Sequence, residues 1–194
     1  MSEIHVVGLD LAKQIFQVHA ITSEGAVVVR RQLRRSQVLT FFSKLPSCLV
    51  GMEACGGAHF WAREIARLGH QVRLMPPNYV KPYVKRGKTD AGDAEAICEA
   101  VSRPTMRFVP VKTAEQQAAA MVLKTRDLLV RQRNQAINAL RAHLSELGIV
   151  SGTGVSRVAG LIGIVRDPDD ARLPVIARRA LADLADNIEA LSER

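Results

Sequence analysis

The sequence is poor in cysteine, and its three residues, Cys48, Cys55 and Cys98, share no C-x-x-C spacing. An odd, scattered set excludes a disulfide framework and a structural zinc site, so each is read as a small buried hydrophobe. Long apolar runs are also missing: none approaches the roughly 20 residues that would span a bilayer. The opening MSEIHVVGLD has no basic stretch ahead of its apolar one, which argues against a signal peptide and for a cytoplasmic location. No basic segment carries the aromatic or apolar face that inserts into lipid, so no membrane partner is expected. The histidines, His5, His19, His59, His70 and His143, have no mutual metal-ligand spacing and read as core or surface residues.

What the chain does have is cationic excess. Lys and Arg number 27 against 19 Asp and Glu, a formal charge of +8 and a pI near 9.9. The excess is clustered. Arg30, Arg31, Arg34 and Arg35 form one knot, and Lys81, Lys85, Arg86 and Lys88 a second. Lys124, Arg126, Arg131, Arg133 and Arg141 line a third segment. Any one cluster could be solvated surface, but three beside an acidic site suit a phosphate backbone, where each neutralised phosphate releases counterions. At 194 residues there is room for one well-cored domain with an appendage, or for two small ones.

Apolar runs place the elements. Residues 4–9 form a strand ending at Asp10, residues 15–20 a second, and residues 26–29 a third that returns as a hairpin partner after Ser23-Glu24-Gly25. Ser36 caps a helix with Val38, Leu39, Phe41 and Phe42. Residues 48–52 are continuously apolar, as in a strand buried on both faces, and end at Glu53. A helix with Phe60, Trp61, Ile65 and Leu68 follows Gly56-Gly57, and residues 71–75 make the fifth strand. This β-β-β-α-β-α-β order is that of the RNase H-like fold, an α/β mixed sheet with flanking helices. Residues 78–88 read as a mobile basic loop, a helix starts near Asp90, and residues 109–111 form an extended connector. From Thr113 to Leu147 neither glycine nor proline interrupts the chain. There Leu123, Val130, Ile137 and Leu144 repeat every seven residues, joined by Leu140 and Leu147, which suits a coiled-coil-like hairpin or a dimer seam. Gly148 is the expected C-cap. Two weaker helical patterns follow, over 155–165 and 174–191, the second running to the chain end without a cap; a fragment is expected.

Four acids stand out. Asp10 and Glu53 each end an apolar strand, and in this topology the first and fourth strands are neighbours. Asp90 and Asp93, at i and i+3, share one helix face in a first turn whose dipole tolerates anions. Hard divalent cations that activate phosphodiesters want such converging carboxylates. Singly, each acid has a plainer reading: Asp10 a turn residue, Glu53 a surface acid, Asp90 an N-cap, Asp93 a solvated charge. Together the four read as a metal site. Glu95 and Glu99 read as exposed helix charges. Lys13, three residues past Asp10, is either a phosphate contact or solvated.

The segments GLDLAKQIFQVHA, GMEACGGAHFWAREIARLGHQVRLMPPNYVKPYVKRGKTDAGDAEAICEAV and KTRDLLVRQRNQAINALRAHL resemble the N-terminal half of insertion-sequence-110 transposases, the DEDD, RuvC-like recombinases of bacterial mobile elements. The likeness runs from about Ile4 to Val150. Asp10, Glu53, Asp90 and Asp93 match the four motif acids without departure. The resemblance implies catalytic roles for those four, Mg2+ (or Mn2+) as the ion, DNA recombination for transposition as the reaction, and a bacterial, nucleoid-associated setting. It also implies a structured guide RNA as partner and assembly as a homodimer or tetramer. The expected division is a RuvC-like metal-binding domain over 1–102, a connector and long helical region over 103–150, and a linker with the start of a truncated helical region over 151–194. Lys13, Lys81, Lys85, Arg86, Lys88, Arg126, Arg131 and Arg133 are the expected nucleic-acid contacts. The family's nucleophilic serine has no counterpart among Ser145, Ser151, Ser156 or Ser192, so strand exchange by this chain alone is not expected. A stand-alone RuvC-type junction endonuclease and a non-catalytic RNA-binding dimerisation module are the competing readings.

Overall fold

The computed structural model describes residues 3–85 and 90–193, Asp90 by its backbone alone. The chain forms two compact units, Met1–Gln117 and Ala118–Arg194. The first holds a five-stranded mixed sheet of β1 (Val6–Asp10), β2 (Ile15–Ile21), β3 (Val27–Arg34), β4 (Leu49–Glu53) and β5 (Gln71–Met75), in the order β3-β2-β1-β4-β5. β1 and β2, and β2 and β3, are antiparallel; β4 runs parallel to both β1 and β5. The anticipated neighbours, first and fourth strands, are neighbours.

Side chains alternate across a strand, so each strand divides its residues between two layers. Val7 and Leu9 of β1, Phe16, Val18 and Ala20 of β2, and Val50 and Met52 of β4 face one core, which α1 (Val38–Phe42) and α2 (Ala58–Arg67) close with Phe42, Trp61 and Ile65. The opposite face carries Val6, Ile21 and Leu49 and is covered by α4 (Asp90–Val101) through Ile97, Cys98 and Val101.

Two glycines set how closely α4 lies. Gly8 and Gly51 are partners in the β1–β4 register. A Cβ on Gly8 would collide with the Ala94 carbonyl oxygen and lie 2.6 Å from the Cys98 amide nitrogen, and one on Gly51 would lie 2.7 Å from Val101 Cβ. Bare backbone at these two positions gives the helix a seat.

Several expectations need correction. The third strand does not stop at Val29 but runs on to Arg34, so most of the first arginine knot decorates a sheet edge. Charges there discourage edge-to-edge pairing. The expected loop over 78–88 is helical at its start: α3 (Pro77–Val80) passes into a 3-10 turn over Lys81–Tyr83. Pro77 at the first position of α3 and Pro82 at the second of the 3-10 turn supply a preset φ and lack only an amide that would be unpaired there. Arg86 and Lys88 lie outside the described residues. Cys48 and Cys98 are buried as expected, but Cys55 is exposed.

The second unit consists of most of α5 (Ala114–Glu146) with α6 (Val158–Arg166) and α7 (Val175–Ser192). Thr113 opens α5 with a capping box, its hydroxyl accepting the Gln116 amide at 3.1 Å while the Gln116 side chain accepts the Thr113 amide at 3.0 Å. Gly148, at φ 74°, closes it. Ile137, Leu140 and Leu144 are buried with Leu161, Val165, Leu181 and Ile188 of α6 and α7. The later half of the seven-residue repeat is thus used within the chain, whereas Leu123 is 69% exposed. Among the described residues no helix is long and apolar enough to cross a membrane.

Candidate functional site

The same alternation that builds the two layers aims the acids. Counting from Val6 and Gly8, Asp10 falls on the α4 side of β1; counting from Leu49 and Gly51, Glu53 falls on the α4 side of β4. The register that pairs Leu9 with Met52 brings Asp10 level with Glu53 at the sheet's end. Across from them, α4 presents Asp93 one helical position before the Ala94 carbonyl that sits over Gly8. Asp10, Glu53 and Asp93, all half-buried, line one cavity of about 500 Å3 together with Lys81, Val84 and Lys85. Asp90 begins α4 one turn earlier; its side chain lies outside the described residues.

Electrostatics identify this as a place of concentrated negative charge. Burial, then the charge of Asp93, push the Glu53 carboxyl above its ordinary value. Burial also raises the neighbouring Cys55 thiol, with Glu53 and Asp10 adding to the shift. Among the described residues no three His, Cys, Asp or Glu side chains stand close enough to hold an ion as they are. The chemistry of the donor set nonetheless suits one: oxygen ligands only, mutually repelling, on rigid element ends, with Pro77 and Val84 as the apolar part of the wall.

The expected cationic contacts separate. Lys81 and Lys85 line the carboxylate cavity. Lys85 does not turn to Asp10 or Glu53; its ammonium donates to Glu95 Oε1 at 2.5 Å, and Arg30 donates to Glu95 Oε2 at 2.9 Å. Glu95 is therefore an anchor for two cations and not a free helix charge, and those contacts hold its carboxyl below the ordinary range, the Lys85 hydrogen bond foremost. Its partners lie 10 and 65 residues away, too far for helix-pair rules to have signalled them. Lys13 is exposed in the β1–β2 turn. Arg126, Arg131 and Arg133 belong to the second unit; Arg131 pairs with Asp127 at 2.9 Å, and Arg133 Nε is buried with no hydrogen-bond partner among the described residues. Ser145 and Ser192 return their hydroxyls to the helix carbonyls of Ala142 and Ile188.

His19 lies under α4 beside this cluster, only 4% exposed, and its Nδ1 has no hydrogen-bond partner among the described residues. Burial lowers its pKa from 6.5, the nearby Arg30 and Lys85 act in the same direction, and Glu95 opposes them. Acid must then charge the unfolded chain before the folded one, so stability present above the ordinary histidine range is lost as the pH falls below it. His19→Gln should flatten the pH dependence of the urea midpoint between about pH 7 and pH 5. An equally steep loss in the variant would assign the acid sensitivity elsewhere.

Residues 7–149 match the family model for DEDD transposases of the insertion-sequence-110 type, described as a transposase. A protein of Pseudomonas aeruginosa named "Probable family 20 transposase" is 51% identical over 97% of this chain and 56% of its own length. The transposase for insertion sequence element IS1328 of Yersinia enterocolitica is 41% identical over 100% of the chain and 57% of its own length. That for IS1111A of Coxiella burnetii is 43% identical over 81% of the chain and 43% of its own length. The chain thus spans about half the length of the curated relatives it matches.

Proposed function

The chain belongs to the insertion-sequence-110 family of DEDD transposases, and from that premise we propose that its first unit is the metal-dependent catalytic part of a transposase that recombines DNA. In this reading the unit is an RNase H-like, RuvC-like fold, supported by the strand order and by the antiparallel placement of β2 alone between β1 and β3. The observation that carries the proposal is the meeting of Asp10, Glu53 and Asp93 in one cavity from residues so distant in sequence.

Those three carboxylates, with Asp90 at the head of α4, would hold a divalent cation, magnesium or manganese. When bound, the ion supplies Lewis-acid stabilisation of the phosphodiester oxygens. The chain's own residues do the rest. Glu95 withholds Lys85 from the acids, keeping an ammonium at the cavity wall where it can meet a DNA phosphate. Lys81 offers a second cation on the same wall. α4 delivers Asp93 rigidly, because it rests on the Gly8–Gly51 seat. The reading extends to a structured guide RNA and to self-association in pairs or fours, for which the basic α5 and its exposed Leu123 are the supporting features. No serine of this chain is assigned as the nucleophile.

Calorimetric titration with Mn2+ tests the core of the reading. Wild type should give saturable heat that vanishes in the Asp10→Asn, Asp93→Asn double variant. No saturable heat from wild type would overturn a resident metal.

A further inference from the structure

A second recess at the carboxylate end of the sheet is larger than the acidic cavity. It lies around the start of β2 and the start of α2, has a volume of about 720 Å3, and is lined by Ile15, Arg34, Arg35, Phe60 and Trp61 among others. Its construction follows from the register. Ile15 pairs with Arg34, and the Arg35 amide donates to the Gln14 carbonyl at 2.8 Å, so both arginines are fixed at the end of the β2–β3 ribbon. Trp61 is buried and locked edge-on between Phe16 at 5.0 Å and Phe60 at 5.3 Å. The Arg35 guanidinium lies over its ring, 4.9 Å from the centroid.

Phe60 and Ile15 are left 43% and 49% exposed, an aromatic and an aliphatic surface in one hollow. Among the described residues neither Arg34 nor Arg35 forms an ion pair, although Arg30 on the same strand does. An exposed ring beside two guanidiniums without carboxylate partners matches the two halves of a nucleotide, a flat base and an anionic phosphate. The hollow is also close to the acids. Asp10 pairs with Gln17, and Ile15 stands two residues before Gln17 on β2, roughly 7 Å from it at ~3.3 Å per residue.

We propose that this recess holds an unpaired nucleotide of the DNA strand presented to the carboxylates, with its base on Phe60 and Ile15 and its phosphate on Arg34 and Arg35. The inference rests on the function proposed above and names where that strand is gripped beside the reacting position. An unpaired base is required, because in a duplex both faces of every internal base are already stacked.

Fluorescence anisotropy with a labelled single-stranded oligodeoxynucleotide reads the contact directly. Phe60→Ala should weaken binding on the order of tenfold, within the range of one lost base–aromatic stack, with its salt slope unchanged. Arg34→Gln should shallow the slope by about 0.7, one single-strand phosphate. Phe60→Tyr, which keeps the ring, should bind as wild type does, which separates stacking from damage to α2. A blunt duplex of the same sequence should be indifferent to Phe60→Ala. Unchanged single-strand affinity in Phe60→Ala, equal weakening on the duplex, or weakening confined to RNA of the same sequence would each overturn the proposal. If wild type gives manganese heat while Phe60→Ala binds DNA normally, the recess alone is refuted. If wild type gives no such heat, the carboxylate reading has failed instead.

Discussion

Gly8→Ala should destabilise the sheet unit by about 3 kcal/mol, the upper part of the range for inserting a methyl into a filled core. The added carbon meets the Ala94 carbonyl and the Cys98 amide, which are backbone of α4 and cannot rotate aside as a side-chain tip would. Relief requires the helix to lift from β1. Thermal unfolding should show the loss as a drop of roughly 10 °C for a unit of this size. Because α4 also carries Asp93, the fraction that remains folded should bind Mn2+ more weakly than wild type. Gly56→Ala is the matched control: among the described residues nothing lies within 4 Å of a Cβ there, and its stability should stay within about 0.5 kcal/mol. Equal midpoints for Gly8→Ala and Gly56→Ala would show that α4 is not seated on that glycine.

Glu53→Gln should move stability and ion binding in opposite directions. In the metal-free protein Glu53 is half-buried beside the charge of Asp93, and both circumstances disfavour its ionised form. Neutralising it removes a repulsion, so the variant should melt higher than wild type in a chelator at neutral pH. Added Mn2+ should then raise the wild-type midpoint while leaving the variant nearly still. The affinity loss should exceed the roughly 10–100-fold caused by removing an outer hydrogen-bond partner of a metal ligand. A variant that melts lower than wild type without metal would mean that Glu53 serves packing or hydrogen bonding more than charge.

These acids were legible in sequence because strand ends and helix starts are local. Val6 to Leu9 and Cys48 to Met52 announce buried strands, and each is followed by its acid without a gap. The helical span from Thr113 was equally plain from its missing glycine and proline. What sequence could not display were contacts between remote residues. Glu95 looked like a solvated helix acid because Arg30 and Lys85 reach it only after the sheet has formed. The arginines of β3 obscured a strand, since strand signals weight β-branched residues and Arg30 and Arg31 interrupt that run. The recess at Phe60 was invisible for a related reason: its parts come from three elements, and the Phe60-Trp61 pair reads simply as a helix's apolar face. The seven-residue repeat in α5 showed that a face would be covered, but the burial of Ile137, Leu140 and Leu144 by α6 and α7 depended on segments whose own patterns were weak.

The parallel pairing of β1 with β4 has a consequence in time. The β1–β2–β3 meander is made of neighbours in sequence and can form as soon as it is synthesised, whereas β4 must wait, and α4 must wait longer. Until Val101 has left the ribosome, Val6, Ile21 and Leu49 have no helix over them, and Asp10 and Glu53 have no Asp93 across from them. The nascent chain therefore passes through a stage in which the sheet is sticky on one side and the acidic cavity has only two of its three carboxylates. The carboxylate cluster of Asp10, Glu53 and Asp93 cannot assemble before α4 is in place.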